Sequence, residues 1–321
     1  LYVVANGGVY VFNTYEAMNG PVADSSFVPV NLGVEVAPVS LSIQGELAAV
    51  TTANDLVFVY EGVPTHGMEP HATVGGDVGC FPTALSAPTA AYWTVTDRLI
   101  VVDRNHNRVL IWDDVSTKSG ALGDANVVLG QPNMLTCGEN DDDADPDTDP
   151  SPTGRTMSRP TGVWSDGVRL IVSDSGNNRV LVWDDIRSVA SFEYADHVIG
   201  QQDFFSSAPN AGQAVPSAAT LSNPGSMDVS EAGELAIADT GNSRVLIWRN
   251  LPSSNGDGAD LVVGQSDFSH GAPNDRDQTG QLGTSPSAKT LFHPEGARFH
   301  GRNLIVNDTY NHRVLVWRES D

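Results

Sequence analysis

One ten-residue phrase occurs four times in this chain of 321 residues. Each copy begins with an Asp and has an Arg five residues later. The Arg is followed by Val-Leu, then by Ile or Val, and finally by Trp. The copies read DRNHNRVLIW from Asp103, DSGNNRVLVW from Asp174, DTGNSRVLIW from Asp239 and DTYNHRVLVW from Asp308, with starts 71, 65 and 69 residues apart. Recurrence at a nearly fixed period indicates that one supersecondary unit is reused, so the fold is an array of repeats.

Each repeat has the pattern of several short strands. Leu170–Ser173 is rich in β-branched residues, Asp174–Asn178 has turn chemistry, and Arg179–Trp183 is a return strand, so together they predict a β-hairpin. A strand-opening Pro160 lies upstream, and the stretch Ala195–Gln201, which ends in Gly-Gln, lies downstream. No segment has a convincing helical periodicity. We therefore expect about four strands in each repeat.

The first hundred residues contain weaker copies of the same unit. Aligning the aromatic residues of the third strand gives six units, marked by Phe12, Tyr60, Trp112, Trp183, Trp248 and Trp317. We therefore predict an all-β fold, a six-bladed β-propeller of four-stranded antiparallel blades with an incomplete or irregular closing blade. We expect a single domain over 1–321, with degenerate blades over about 1–87 and regular blades over about 88–317.

The repeated motifs resemble those of the NHL-repeat family of β-propellers. The resemblance is carried by the four Asp-Arg phrases, by strands such as Pro160-Thr-Gly-Val-Trp164, and by the added Gly-Gln-x-Asp-Phe piece at Gly200–Phe204. That added piece is similar to a bacterial secreted or surface branch of the family. The resemblance implies the fold. It does not fix an activity, because propellers host many unrelated functions.

Net charge limits the partners of this chain. It has 40 acidic and 17 basic residues, a net charge of −23. Such a surface repels phosphate backbones, which argues against nucleic acid as a partner and favours cations or basic partners. No apolar run of about 18 residues is present, so we expect no membrane-spanning segment.

Two cysteines, Cys80 and Cys137, follow corresponding stretches of adjacent repeats. Equivalent loops of neighbouring units can lie side by side, so one interpretation is a disulfide, and the other is two buried free thiols. A disulfide would place the protein in an oxidising compartment: secreted, periplasmic or on the cell surface. The chain begins at Leu1 without Met, so we expect a processed or trimmed chain.

The four Asp/Arg pairs are interpreted as structural. They are Asp103/Arg108, Asp174/Arg179, Asp239/Arg244 and Asp308/Arg313. Each pair flanks one turn, where a charge-assisted hydrogen bond would hold it, and a catalytic site needs one constellation rather than four. The Trp residues that end the phrases are expected to pack between blades.

The segment Glu139–Asp149 is the most distinctive feature outside the repeat. Alternating Asp side chains on an extended backbone can surround a hard cation with oxygen atoms, and calcium prefers such ligands. The expected ligands are Asp141, Asp143, Asp145 and Asp147, and calcium is the one cofactor that the sequence suggests. The alternative is a solvated acidic loop without a metal.

The residues that precede the strand-opening Pro are expected near the axis of the propeller. Arg159, Asn223 and His293 occupy this position in successive repeats, and we predict that they line an axial mouth that binds a ligand. Because strand direction alternates, the hairpin turns, the long loops between blades, the acidic segment and both cysteines should share one face.

The sequence favours an extracellular binding or scaffold protein that presents this face to a protein, glycan or cation. The alternative is a metal-dependent lyase or hydrolase with its site in the central channel, so enzymatic activity stays uncertain. A third interpretation is a structural spacer within a larger surface protein, with flanking domains. Nucleophilic catalysis has no support, since Gly-x-Ser-x-Gly is absent from the sequence.

Overall fold

The protein is described by a computed structural model over residues 2–5, 8–11, 25–27, 30–31, 34–65, 67–145, 148–283 and 285–318. Within these ranges the regular elements are β-strands and short 3-10 turns, with no α-helix. None of the helical turns in this part of the chain is long and apolar enough to cross a membrane. The strands form small sheets arranged around an axis, which is a β-propeller.

The N-terminal residues form a small sheet and a ribbon. The sheet contains β1 (Tyr2–Ala5), β2 (Gly8–Val11) and β3 (Ser25–Phe27), paired antiparallel in that order. The ribbon contains β4 (Val30–Asn31) and β5 (Val34–Glu35).

Five sheets are blades, numbered here in chain order. Blade 1 contains β6 (Pro38–Gln44), β7 (Leu47–Thr52), β8 (Leu56–Glu61) and β9 (Ala72–Gly75). Blade 2 contains β10 (Pro88–Trp93), β11 (Leu99–Asp103), β12 (Arg108–Trp112) and β14 (Val127–Leu129), while β13 (Gly120–Ala121) pairs with β9 of blade 1. Blade 3 contains β15 (Gly162–Ser165), β16 (Leu170–Asp174), β17 (Arg179–Trp183) and β18 (His197–Ile199). Blade 4 contains β19 (Met227–Val229), β20 (Leu235–Asp239), β21 (Arg244–Trp248) and β22 (Leu261–Val263). Blade 5 contains β23 (Gly296–His300), β24 (Asn303–Asp308) and β25 (Arg313–Trp317).

The first strand of each blade lies on the inside of the ring. β6, β10, β15, β19 and β23 lie side by side in that order, and β1 lies beside β6. The inner strands approach closely, since a Cβ atom on Gly162 would lie 2.8 Å from Cα of Ser226. A larger residue at Gly162 would push blades 3 and 4 apart.

The repeated phrase forms the predicted hairpin between the second and third strands of blades 2 to 5. In blade 3, Asp174 and Arg179 are the last pair of the β16–β17 ladder, and Ser175–Asn177 forms a 3-10 turn between them. Asn178 ends the turn in the left-handed region, with φ of 53°. The equivalent residues Asn107, Ser243 and His312 have φ of 54°, 50° and 51°. Asn adopts this conformation more readily than most residues other than glycine.

The hydrophobic core lies between neighbouring blades. The largest cluster joins Val102 and Leu129 of blade 2 to Trp183 of blade 3 and Leu246 of blade 4. Trp112, Trp183 and Trp248 are buried in these clusters, and Trp317 packs against the cluster between blades 4 and 5. The predicted packing role of the repeated Trp residues is confirmed.

The predicted number of six blades is wrong, because the described residues form five. The sheet of β1 to β3 has strands of four, four and three residues, and none of its described side chains joins a hydrophobic core cluster. It lacks the Asp-Arg phrase that fixes a blade's central hairpin, and Phe12, which marked the first unit, lies outside the described residues. Blade 5 has three strands, whereas blades 2 to 4 have four.

Candidate functional site

One face of the propeller carries the hairpin turns of the phrase and the long loops between blades, and we call it the turn face. β14, β18 and β22 run antiparallel to the return strands of the hairpins, so each brings the chain back to the level of the turns. The next blade then starts at the same level, since Gly162 of β15 pairs with Ser173 near the turn. The loops 130–161, 200–226 and 264–295 therefore lie on the turn face.

Each Asp/Arg pair forms a short ion pair under the turn face. The Arg Nε–Asp Oδ2 distances are 2.8, 2.7, 2.7 and 2.6 Å for Asp103/Arg108, Asp174/Arg179, Asp239/Arg244 and Asp308/Arg313. Both side chains of the first three pairs are fully buried, and Arg313 is 25% exposed. Burial raises the pKa of Asp174 and of Asp239, against the opposing effect of the Arg and of hydrogen bonds. The predicted structural role of the pairs agrees with this geometry.

The same Arg side chains hold the loops between blades. Arg179 donates from Nη1 to the carbonyl of Phe204, and from Nη2 to the carbonyls of Thr153 (2.8 Å) and Thr156 (3.0 Å). Arg244 repeats this pattern in the next blade. Carbonyl groups of irregular loops would otherwise be buried without donors. One side chain therefore fixes the loops that enter and leave a blade.

A reciprocal amide pair ties each loop to its turn, and sequence analysis missed it. Asn177 and Asn140 exchange hydrogen bonds of 2.8 and 3.1 Å between their side chains. Asn242/Asn210 and Asn311/Asn274 repeat the arrangement. In the first copy of the phrase this position is His106, whose Nδ1 lies 2.9 Å from Asp103. The Ala-Pro-Asn tripeptides that end at Asn210 and Asn274 were the signal in the sequence.

The three predicted axial residues occupy one structural position. Arg159, Asn223 and His293 have φ of 46°, 47° and 47°, and each directly precedes the Pro that leads to an inner strand. Their backbone N–H groups donate to Oδ1 of Asn107 (2.9 Å), Oδ1 of Asn178 (2.7 Å) and Oγ of Ser243 (3.3 Å) in the preceding blade. These residues therefore join adjacent blades through their backbones.

These three residues differ in exposure. Arg159 and Asn223 are exposed, whereas His293 is partly exposed and its ring packs against Phe292 and Tyr310, with centroids 5.2 and 4.8 Å away. Ligand binding by these residues stays a prediction.

The segment 139–149, here the acidic loop, folds back on itself instead of extending. The N–H of Asp149 donates to the carbonyl of Glu139 (3.0 Å), and its Oδ2 accepts from the N–H of Asp142 (3.0 Å). This brings single carboxylate oxygens of Asp141, Asp143 and Asp149 within 4.8 Å of one another. Oxygens this close can share one cation.

The predicted ligand set is only partly brought together. Asp141 and Asp143 are in this group, Asp145 lies outside it, and Asp147 lies outside the described residues. Asp149 was not predicted, because the alternation argument assumed an extended backbone. Burial raises the pKa of Asp141, against the effect of two backbone N–H groups.

Cys80 and Cys137 form a disulfide on the turn face, which confirms that prediction over free thiols. Their Cα atoms are 6.1 Å apart, and the bond joins the loops before and after blade 2. The carbonyl of Cys137 also accepts a hydrogen bond from Nδ2 of Asn107 (3.0 Å). The start of the acidic loop, two residues later, is therefore anchored.

A second polar cluster lies on the inner strands, near the opposite face. Asp228 on β19 accepts a hydrogen bond from the N–H of Phe299 (2.8 Å), and the Tyr92 hydroxyl lies 3.3 Å from Nε2 of Gln44. Burial raises the pKa of Asp228, and Arg298 on β23 opposes this rise. These residues are not repeated between blades, and no motif in the sequence marks them.

No protein-family model and no curated protein matches the chain. Among solved structures, 100% of the chain aligns with 84% of a chain in the crystal structure of the mitotic checkpoint complex, with a TM-score of 0.50 and 14% identity. A computationally designed protein, Ika8, aligns with 99% of the chain over 70% of its own length, with a TM-score of 0.46 and 10% identity. The first likeness supports the propeller fold alone.

Proposed function

We propose that this chain is an NHL-type propeller that acts as an extracellular binding module, with the turn face as its binding surface. The motifs of the repeat support the family, and the disulfide is compatible with an oxidising compartment. The ligand that fits best is a protein with apolar and basic surface groups. The acidity of the chain favours a basic partner, and a glycan is the alternative ligand.

One observation carries this proposal: large apolar side chains are displayed at equivalent places on a fixed backbone. Leu135 and Phe205 follow the Gly-Gln motif at the same position of successive loops and are 65% and 64% exposed. The preceding residues, Met134 and Phe204, are held at their carbonyls by Arg108 and Arg179. Isolated exposed apolar residues are ordinary, but repeated ones on an immobilised backbone lose little entropy on binding.

A photo-crosslinking amino acid at Phe205, Leu135 or Val95 tests the proposal. Val95 is 70% exposed and lies between β10 and β11, on the opposite face, so it is the matched control. Crosslinks to extracellular proteins from the same source should form from the two turn-face positions and not from Val95. The variant Leu135→Ser/Phe205→Ser should compete at least tenfold less well for the captured partner than Val95→Ser does.

Equal crosslinking from both faces would contradict a turn-face binding surface. Saturable binding to a glycan array, without any protein crosslinks, would show that the ligand is a glycan and not a protein.

A further inference from the structure

The acidic loop has a structural copy in the chain, residues 273–283, here the sister loop. Both loops have eleven residues, and in both the N–H of the last residue donates to the carbonyl of the first, at 3.0 and 2.9 Å. The second residue of each is a left-handed Asn that pairs with the Asn of the nearest turn. The sixth residues, Ala144 and Gln278, also share a left-handed backbone, with φ of 70° and 54°. The described residues of the two loops therefore share the closing hydrogen bond, the Asn pair and two left-handed positions, although their side chains differ.

The third residue of each loop is a fully buried Asp, and the two differ in how their oxygens are satisfied. In the sister loop, Oδ1 of Asp275 accepts from the N–H of Thr279 (2.9 Å), and Oδ2 accepts from the N–H of Gly280 (2.7 Å). In the acidic loop, Oδ1 of Asp141 accepts from the N–H groups of Asp143 (3.3 Å) and Ala144 (2.8 Å). Oδ2 of Asp141 is buried and has no hydrogen-bond partner among the described residues.

The sequence explains why this oxygen is left without a backbone donor. Pro146 lies outside the described residues, but in the sequence alignment of the two loops it corresponds to Gly280, and a proline has no N–H to donate. A buried oxygen without a hydrogen-bond partner destabilises the fold, and the cost is larger for a charged group.

The acidic loop also has carboxylates that the sister loop lacks. Asp149 corresponds to Gly283, and Asp149 and Asp143 place oxygens within 4.8 Å of an oxygen of Asp141. Three like charges at this distance repel one another in the absence of a counter-charge. A cation between them would remove the repulsion and supply the missing partner of the buried oxygen.

We propose that Asp141, Asp143 and Asp149 bind one hard divalent cation of the calcium class. Calcium takes about six to eight oxygen ligands, so backbone carbonyls and water would complete the shell. The sister loop shares the backbone features named above and holds its buried Asp with backbone N–H groups instead, so we expect it to bind no metal. The proposal concerns the same face as the proposed binding surface and does not depend on it.

Calcium titration of the full chain by isothermal calorimetry, after EDTA treatment, tests the site. Wild type should bind one calcium ion with a Kd below about 1 mM, the range of extracellular calcium modules. Asp141→Asn and Asp149→Gly, which introduces the sister-loop residue, should each weaken binding at least tenfold. Asp142→Asn, an exposed neighbour, and Asp275→Asn, in the sister loop, are matched controls and should leave the Kd within about twofold.

Thermal unfolding distinguishes a loss of calcium binding from a loss of folding in the variants. Asp141→Asn should be at least as stable as wild type in EDTA, because it removes a buried charge, and should lose the stabilisation that calcium gives wild type. The proposal is overturned if wild type shows no saturable calcium binding at 5 mM calcium (about five times the expected upper Kd), or if Asp141→Asn binds like wild type. Crosslinking from Phe205 in EDTA and in calcium reports separately on the proposed binding surface.

Discussion

At the scale of a single residue, the Arg of the repeated phrase makes two kinds of contact. Its Nε neutralises a buried Asp, while its two Nη atoms donate to carbonyls of loops on either side of the blade. A buried ion pair alone contributes little to stability, since desolvation offsets the attraction between the charges. The repeated Arg is therefore better explained by its hydrogen bonds to loop carbonyls. These carbonyls need several N–H donors in one plane, which Lys does not provide.

This explanation predicts an unequal effect of two Arg substitutions in blade 3. Arg179→Ala should lower the free energy of unfolding by about 3–5 kcal/mol, because it leaves Asp174 buried and unpaired. Arg187→Ala removes an ion pair with Asp185 at the exposed surface and should change the free energy of unfolding much less. Urea unfolding followed by Trp fluorescence gives both values. Similar losses for the two variants would contradict a special role for the buried Arg.

The Asp/Arg pairs could be predicted because their partners are five residues apart in the sequence. The partners of Asn177 and Asn178 could not, since Asn140 lies 37 residues away and Asn223 lies 45 residues away. Such contacts depend on how the loops return to the turn face, and the sequence does not encode this in any local spacing. The axial positions were found through repetition, but their left-handed backbones and their bonds to the preceding blade were not.

In the acidic loop, the predicted set of cation ligands depends on the backbone conformation that is assumed. Alternation along an extended chain selected Asp145 and Asp147 as partners of Asp141 and Asp143. The loop instead closes between its first and last residues, so Asp149 takes part although it lies eight residues from Asp141. The similarity to 273–283 is hidden in the sequence because few side chains are shared.

At the scale of elements, the end of the fourth strand is a point where the next loop packs closely. Gly200 and Gly264 have φ of 90° and 97° and lie just before the Gln of the Gly-Gln motif. A Cβ atom on Gly264 would lie 2.6 Å from Cδ1 of Leu291, a fully buried side chain at the entry to blade 5. The glycine is needed for its backbone conformation and for the approach of the next loop.

Gly264→Ala should therefore be more destabilising than an alanine at a glycine with the same conformation and open surroundings. Gly233 is that control, with φ of 88° and no atom within 4 Å of the point where a Cβ would lie. Both variants carry the strain of a positive φ, and Gly264→Ala adds overpacking of about 1–3 kcal/mol. Equilibrium unfolding of the two variants gives the difference. Equal losses would show that Leu291 moves away without cost.

The blade count was the main error in predicting the fold, and it arose at this scale. Blades 2 to 5 each carry the full phrase, whereas blade 1 keeps its hairpin through long strands of six residues, β7 and β8. The N-terminal sheet has neither the phrase nor long strands. An aromatic residue at the expected spacing is therefore weaker evidence for a blade than the charged turn.

For the whole molecule, the disulfide constrains the ring across one blade. Cys80 and Cys137 are 57 residues apart, and the loop that they close contains all of blade 2. Closing a loop of this length lowers the entropy of the unfolded chain by an amount worth about 4 kcal/mol. The bond also joins the loops that enter and leave blade 2, which Arg108 holds as well.

Replacing both cysteines by alanine should lower the free energy of unfolding by at most about 4 kcal/mol, and reduction of wild type should have the same effect. Chemical unfolding of the oxidised, reduced and Cys80→Ala/Cys137→Ala proteins gives the comparison. A loss below about 1 kcal/mol would mean that the contacts of Arg108 restrain these loops without the bond.

The buried carboxyl of Asp228 makes the stability of the ring depend on pH. Burial raises its pKa above the ordinary 3.8, although Arg298 and the backbone N–H groups of Phe299 and Val229 act in the opposite direction. The folded protein therefore keeps a proton that the unfolded chain has already released. Stability falls as pH rises from about 3.8 through the raised pKa, and the loss persists at higher pH.

The variant Asp228→Asn isolates this effect, because its amide oxygen can still accept the hydrogen bond from Phe299. Its stability relative to wild type should rise across that pH window, by about 1.4 kcal/mol for each unit by which the pKa is raised. Urea unfolding of both proteins at several pH values between about 3.5 and 7 measures this difference. If the Asp228→Asn difference is constant over this range, the carboxylate is compensated by Arg298 between blades 4 and 5, and the inner strands are joined by an ion pair instead of a protonated acid.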